Sequence, residues 1–348
     1  MGWVFESAYK TFDQYREMWD GLNRSQGDHL LLDSMFVGPL VRYFGSTETL
    51  LGISNDHKNP GMVLVDSVRK GFWQTFQPSQ GPLGLILLGN RSEVVGQIEE
   101  LIRSLPRYAL GFGVLQQDPD FTAFGSLNPS KKIEILDYIK TPRLTLRGTF
   151  EDYWKSCGRN LVHNLSRQRR RLAEQGVQLE LFVDRDPNDV GKGIGEYGRL
   201  EGSGWKARGR TAVTANNRQG LFYQDMLENF CSRGEGIIYR LMMNGKTVAS
   251  DLCLERDGTM VVLRTTYDES IEGLSLGLLL HQEIFKALFS EGKIKVVEFY
   301  GRVRDWHTKW TNELRTMYHI NFYRHRWVAV ARRFIKESSR LLRSGGEQ

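Results

Sequence analysis

Residues 259–300 decide how this chain is read: TMVVLRTTY at Thr259–Tyr267, the loop Ser275-Leu276-Gly277, LLLHQEIFKALFS at Leu278–Ser290, and VVEFY at Val296–Tyr300. The first and last runs are rich in β-branched and aromatic residues and predict strands. The third spaces its apolar residues for one face of a helix. A glycine-containing loop that opens a helix presents unpaired backbone N–H groups and the positive end of the helix dipole. Such a place suits a phosphate. Here it suits the pyrophosphate of a coenzyme A thioester, which points to acyl transfer.

The 348 residues are enough for two cores. Hydrophobic residues make up 40% and charged residues 25%, the balance of a globular protein rather than a disordered one. No apolar run approaches the roughly 20 residues of a membrane span. The start, MGWVFESAYKTFDQ, has no basic stretch followed by an apolar core. Cys157, Cys231 and Cys253 are far apart and lack metal-ligand spacing. These features predict a cytoplasmic protein without a metal. The net charge of +6 is unevenly placed. Arg159, Arg167, Arg169, Arg170 and Arg171 form one cluster, and Arg324, Arg326, Arg332, Arg333, Lys336, Arg340 and Arg343 another. Each suits phosphates, nucleic acid or an anionic membrane face, or else is a solvated helix face.

Outward from the opening stretch, the second half reads as one ordered series. Tyr153–Gln175 predicts a helix stopped by Gly176. Val177–Val183 alternates as a strand. Asp186-Pro187 starts a helix reaching Glu201. Gln219–Ser232 is a further helix. Gly236–Met243 and Thr247–Leu254 form a hairpin around Asn244-Gly245. A short helix is expected over Trp306–Leu314 and a last strand over Met317–Arg324. The order resembles that of the GNAT acyltransferase fold, and the resemblance implies that the fourth and fifth strands splay and admit the acyl-CoA. The first half shows the same order more weakly, with strands at Trp3–Ser7, Leu50–Asn55, Gly61–Arg69, Phe72–Gln77 and Ala109–Gln116, and helices at Phe12–Leu22, Ser34–Phe44 and Ser92–Ser104. The expected fold is α/β (α+β): tandem GNAT-like domains, each a mixed, mostly antiparallel sheet flanked by helices. The expected segments are an N-terminal domain at 1–142, a C-terminal acyltransferase domain at 143–325, and a basic helix and tail at 326–348.

Leu144–Gly176 and Glu201-Gly-Ser-Gly-Trp205-Lys206-Ala207-Arg-Gly209-Arg-Thr211-Ala212 resemble the cellulose-biosynthesis acetyltransferases of the CelD/BcsL type. Ser275-Leu276-Gly277 looks like that family's small-Pro-Gly loop, with Leu276 in place of Pro. Glu298-Phe299-Tyr300-Gly301 and Trp306-His307 look like its Asp-Phe-Gly and Tyr-Lys motifs. There Glu298 replaces Asp, Tyr300 interrupts the spacing, and His307 takes the Lys position. The resemblance covers roughly residues 140–325. It implies an acetyl-CoA or other acyl-CoA cosubstrate and an acceptor on a sugar or polysaccharide precursor. The Fem-type peptidoglycan aminoacyltransferases share the tandem architecture.

Acyl transfer from a thioester needs a base for the attacking group and a donor near the developing oxyanion. Glu201, beside Trp205, is one candidate base, with Lys206 beside it as a catalytic or anion-holding group; the alternative is a structural pair next to a core tryptophan. Glu298, at the end of the splayed strand, is a second candidate, or else it caps the next loop. Backbone N–H groups of Ser275, Leu276, Gly277 and Leu278 are expected to hold the pyrophosphate. The edge at Arg264–Tyr267, notably Thr266 and Tyr267, is expected to pair with the pantetheine arm. Arg159, Trp205, Tyr300, Arg302 and His307 are candidates for holding the acceptor. His307 would donate a proton, or else it is structural.

Two motifs are set aside. Gly193-Ile194-Gly195-Glu196-Tyr197-Gly198 fits G-x-G-x-x-G, but it falls inside a predicted helix rather than before one. Gly273-Leu274-Ser275-Leu276-Gly277 fits G-x-S-x-G, but about eight residues separate it from Tyr267, too many for a tight nucleophile elbow. The segment Trp327–Leu342 suits peripheral membrane contact or a packed helix. Two rivals remain: an aminoacyl-tRNA-dependent transferase using the arginine helix, and a catalytically inactive scaffold of an exopolysaccharide system.

Overall fold

The computed structural model describes residues 2–121, 123–125, 127–202, 213–332 and 334. The chain forms two compact units. Unit 1 holds Met1–Ile139 and Thr316–Gln348, and unit 2 holds Lys140–Arg315.

Unit 1 contains β1 (Trp3–Ser7), α1 (Ala8–Thr11), α2 (Arg16–Ser25), α3 (Ser34–Phe44), β2 (Leu50–Ser54), β3 (Gly61–Arg69), β4 (Phe72–Thr75), β5 (Ile86–Leu88), α4 (Val94–Ser104) and β6 (Gly111–Gln117). Strands β1 to β4 form an antiparallel meander, and β6 then joins β4 in parallel across Phe72–Gln74. The amphipathic α4 supplies that crossover. It buries Ile98 and Leu101 against Val63, Val65, Phe112 and Val114. Fully burying each such side chain contributes about 1.5–3 kcal/mol.

Unit 2 repeats this plan. Strand β7 (Ile133–Thr145) enters it at Lys140. The rest is α5 (Phe150–Ser156), α6 (Arg159–Glu174), β8 (Leu179–Asp184), α7 (Pro187–Gly202), α8 (Arg218–Ser232), β9 (Gly236–Met243), β10 (Lys246–Arg256), β11 (Thr259–Tyr267), α9 (Leu276–Glu291), β12 (Val296–Glu298) and the start of β13 (Glu313–Tyr323). Its sheet order is β7–β12–β11–β10–β9–β8. Only the β11/β12 pair is parallel. On one face α6 and α9 cover the sheet through Leu161, Leu165, Leu172, Leu279, Ile284, Phe285 and Leu288. The buried residues of α7 and α8, Ile194, Tyr197, Phe222, Met226 and Phe230, form a second buried set.

The sheets are mixed, mostly antiparallel and flanked by helices, as the sequence predicts. The segment boundaries differ from the reading at 142/143 and 325/326. Thr141-Pro142, which follows the polar stretch 128–132, reads as a boundary, yet both residues are buried and lie inside β7. That strand's Arg143–Thr145 pair with β12. In turn β13 pairs with β6 through Tyr318–Tyr323, so residues from Thr316 onward group with unit 1. Each unit is therefore completed by a strand from the other half of the sequence. The single helix expected over Tyr153–Gln175 is two, α5 and α6, because Gly158 takes an extended ψ of 134°. The helix expected over Trp306–Leu314 is only a 3₁₀ turn at His307–Lys309. Glu313 instead accepts from the Thr145 hydroxyl at 2.6 Å and starts a strand. Residues 326–332 are helical and seat Val328 and Ala329 beside Tyr323, Phe72 and Leu110.

Strands β11 and β12 pair over only Thr259–Val261 and Val296–Glu298, and then they part. Two causes are visible. The β10/β11 register passes from Cys253↔Val262 to Leu252↔Arg264, skipping Leu263, and such a bulge bends the strand. On the other side, Glu298 accepts from Arg143 at 2.6 Å and from Arg315 at 2.7 Å. Phe299 N–H then donates to Pro142 at 3.2 Å and Val303 N–H to Lys140 at 2.9 Å, so the chain past β12 follows β7. Replacing Glu298 with Gln leaves two guanidinium groups facing a neutral partner. The expected cost is about 3 kcal/mol, read as an earlier unfolding midpoint; an unchanged midpoint would show that this clamp does not hold β12.

Candidate active site

Helix α9 opens at the mouth between the parted strands. Ser275 is its N-cap residue, and its C=O accepts from Leu279 N–H at 2.9 Å. Leu276 and Leu278 turn their side chains into the core, so at the mouth they offer backbone only. The N–H groups of Leu276, Gly277 and Leu278 belong to the first turn, which has no intrahelical acceptors. A Cβ on Gly277 would lie 3.4 Å from the Tyr267 ring, which places Tyr267 against this turn. Thr266 beside it is buried.

Helix α6 lines the other side of the loop. Gln168 accepts from Ser275 N–H at 2.8 Å and donates to Ser275 Oγ at 3.2 Å. One of the four expected phosphate donors is therefore engaged by a side chain. Arg171 brings its guanidinium to about the position of Gly273, which adopts φ +74°. Arg169 is spent on Gln282 and Glu283, while Arg167 and Arg171 remain exposed. The arginine run thus splits by helical phase: one member braces α9, and another flanks the loop that opens α9.

Glu201 lies at the end of α7, fully buried, in a polar knot. It accepts from the Tyr197 hydroxyl at 3.0 Å, Arg264 Nη2 at 3.1 Å and Val213 N–H at 2.7 Å. Burial weighs against the Arg264 charge, but Tyr223, Tyr197 and Glu201 outweigh it and raise its pKa. A carboxylate held by three donors has little to offer an incoming proton. Trp205 and Lys206 lie outside the described residues. Glu298 is the clamp described above. Tyr300 is buried beside it, with the Arg315 guanidinium 5.0 Å from its ring centre. Arg159, at the first residue of α6, and Arg302 are exposed.

His307 is buried, and its Nδ1 accepts from Arg304 N–H at 2.9 Å. Burial, followed by the neighbouring His281, lowers its pKa to about 4. It is neutral at pH 7, which removes the imidazolium that a neutral-pH proton donor would use. Next to it lies a pair that the sequence does not flag. His281 of α9 meets Asp251 of β10 at 2.9 Å, both fully buried. The only signal was a histidine amid the leucines of a core-facing helix. Among the described residues no cluster of His, Cys, Asp and Glu could hold a metal, and no helix is long and apolar enough to cross a membrane.

A parallel strand–helix–strand crossover with parted strands and a helix N-terminus at their mouth is the decisive arrangement. Residues 159–310 match the acetyltransferase (GNAT) domain. No curated protein matches the chain. Solved structures of similar fold include the C-terminal domain of a putative lysylphosphatidylglycerol synthetase from Agrobacterium fabrum, 12% identical with a TM-score of 0.57 over 91% of this chain and 94% of that one. L-PGS from Bacillus licheniformis gives 12% and 0.52 over 91% and 96%. FemX gives 8% and 0.53 over 88% and 96%. At these identities the likeness is one of fold. The fold is GNAT-like, and the matched residues 159–310 are similar to a GNAT acyltransferase domain.

His307 also makes stability depend on acid. Its proton affinity is lower folded than unfolded, where its pKa is near 6.5. Between pH 6.5 and about 4 only the unfolded chain takes up this proton, so folding stability falls as pH falls through that window, by up to about 3 kcal/mol. Urea unfolding at pH 7 and pH 4.5 is expected to show a smaller loss in His307→Gln than in the parent.

Proposed function

We propose that this protein is an acyl-CoA-dependent N- or O-acyltransferase, an acetyltransferase acting on a sugar or a polysaccharide or cell-envelope precursor. The observation that carries the reading is the opening between β11 and β12 with the first turn of α9 at its mouth. Backbone N–H groups of that turn would hold the pyrophosphate, with Arg171 as a charged partner. The Ser275 N–H joins them only if Gln168 swings away. The free edge of β11 from Val262 to Tyr267 would pair with the amides of the pantetheine arm. Glu201 and Glu298 act as positioning residues: one fixes Arg264 on the edge strand, and the other keeps β12 on β7. Tyr300, Arg302 and Arg159 are candidate contacts for the acceptor. The acetyl group and the glycan acceptor rest on the CelD/BcsL-type resemblance, as does a role in exopolysaccharide biosynthesis in the cytoplasm.

The second reading is an aminoacyl-tRNA-dependent transferase. It is favoured by the exposed arginines of α6 and by the fold shared with FemX and with proteins named as lysylphosphatidylglycerol synthetases. Peripheral contact of the basic C-terminal segment with a membrane fits either reading.

Acetyl-CoA titrated into the full chain in a calorimeter is expected to give saturable heat. Arg171→Ala should weaken that binding about 10-fold or more, the worth of a charge-assisted hydrogen bond. Absence of heat, together with a tRNA gel shift that fades steeply as salt rises, would favour the second reading.

A further inference from the structure

Asp251 and His281 form a buried pair that the acyl-CoA reading has not used. His281 Nε2 lies 2.9 Å from Asp251 Oδ2. A carboxylate in that place holds the ring proton on Nε2 and leaves Nδ1 as a bare lone pair. Among the described residues, His281 Nδ1 and Asp251 Oδ1 have no hydrogen-bond partner. A buried unpaired acceptor is costly, and apolar residues of similar size would fill the same space at less cost.

The position of the ring is informative. Asp251 pairs in register with Thr265, in the part of β11 where β12 no longer runs alongside. On its far side the imidazole meets Phe299, the first residue past β12, edge-on at 6.3 Å. It stacks on Trp306 at 5.0 Å and on Phe285 at 5.8 Å, with Trp310 edge-on at 6.4 Å. The ring therefore lies between Asp251 of β10 and the first residue past β12. Among the described residues its charged contact is Asp251, and its titratable neighbour is His307.

We propose that His281 is the base that moves the proton in acyl transfer, and that Asp251 is its positioning residue. This rests on the acyl-CoA reading above. The acceptor's nitrogen or oxygen lone pair attacks the thioester carbonyl carbon and forms the new C–N or C–O bond. The acceptor's proton passes to His281 Nδ1. The C–S bond then breaks, and its electron pair leaves on sulfur. The imidazolium returns the proton to that thiolate, releasing the free thiol and restoring the ring. No further reactant is needed. Asp251 keeps Nε2 protonated throughout, so that Nδ1, which has no partner among the described residues, stays the acceptor.

The acceptor is unidentified, so the probe is acetyl-CoA alone, with water as the acceptor and thiol release as the signal. Parent, His281→Gln and Asp251→Asn are compared as full chains, with calorimetric binding of acetyl-CoA measured beside turnover. Nitrogen NMR of histidine-labelled protein reads the ring tautomer. The expected result is binding within about twofold of the parent in both variants and thiol release at least about 100-fold slower in His281→Gln. The parent ring should carry its proton on Nε2, and in Asp251→Asn it should move to Nδ1. Parent-like thiol release in a His281→Gln protein that still binds overturns the assignment, as does a parent ring protonated on Nδ1. If His281→Gln does not fold, Asp251→Asn and the ring tautomer decide. If the parent binds no acetyl-CoA, the acyl-CoA reading itself falls and takes this step with it, an outcome distinct from binding without an effect of the variants.

Discussion

Glu298 and its two arginines carry the constraint on which unit 2 depends. Strand β12 is only three residues long and has neighbours on both sides. Left to backbone hydrogen bonding, the chain beyond it would continue along β11 and close the sheet. The carboxylate, tied to Arg143 and Arg315, keeps it with β7 instead. The bulge at Leu263 turns β11 away at the same level. Two strands that start as parallel neighbours thus diverge, and the divergence leaves unpaired backbone that a ligand's amides can satisfy. The chemistry proposed here follows from that unpaired edge.

Polar groups are buried in this unit in two different ways. Glu201 and Glu298 are surrounded by donors and hold cations, as does the half-buried Asp184 with the buried Arg240. These pairs are satisfied, and they fix where strands and helices meet. The Asp251–His281 pair is satisfied on one side only. The difference separates scaffolding from a group free to exchange a proton, and burial alone does not draw it. His307 makes the point: it is as buried as the others, yet its ring nitrogen already accepts from a backbone N–H.

The helix α6 shows how one stretch of sequence serves several purposes through phase. Leu161, Leu165 and Leu172 face the core, Gln168 reaches the cap of α9, Arg169 braces Gln282 and Glu283, and Arg171 flanks Gly273. A run of arginines reads as a single basic cluster in sequence. Wound at 3.6 residues per turn it becomes several separate contacts.

The sequence by itself determined the alternation of strands and helices in unit 2, the meander around Asn244-Gly245, and the glycine-bearing loop that opens α9. Those signals are local, set by side-chain period, turn residues and helix starts; they fail where Gly158 breaks the first helix of the unit and where Glu313 starts a strand instead of ending a helix. It also showed two halves with one element order. Only the tertiary structure decided where the halves divide, because Thr141-Pro142 reads as a break yet lies inside a strand that pairs with β12. Only it placed Glu201 and Glu298 against arginines from strands 63 and 155 residues away in the chain. And only it joined Asp251 to His281: a carboxylate on a strand and an imidazole among leucines carry no mark of one another until a helix is laid across a sheet.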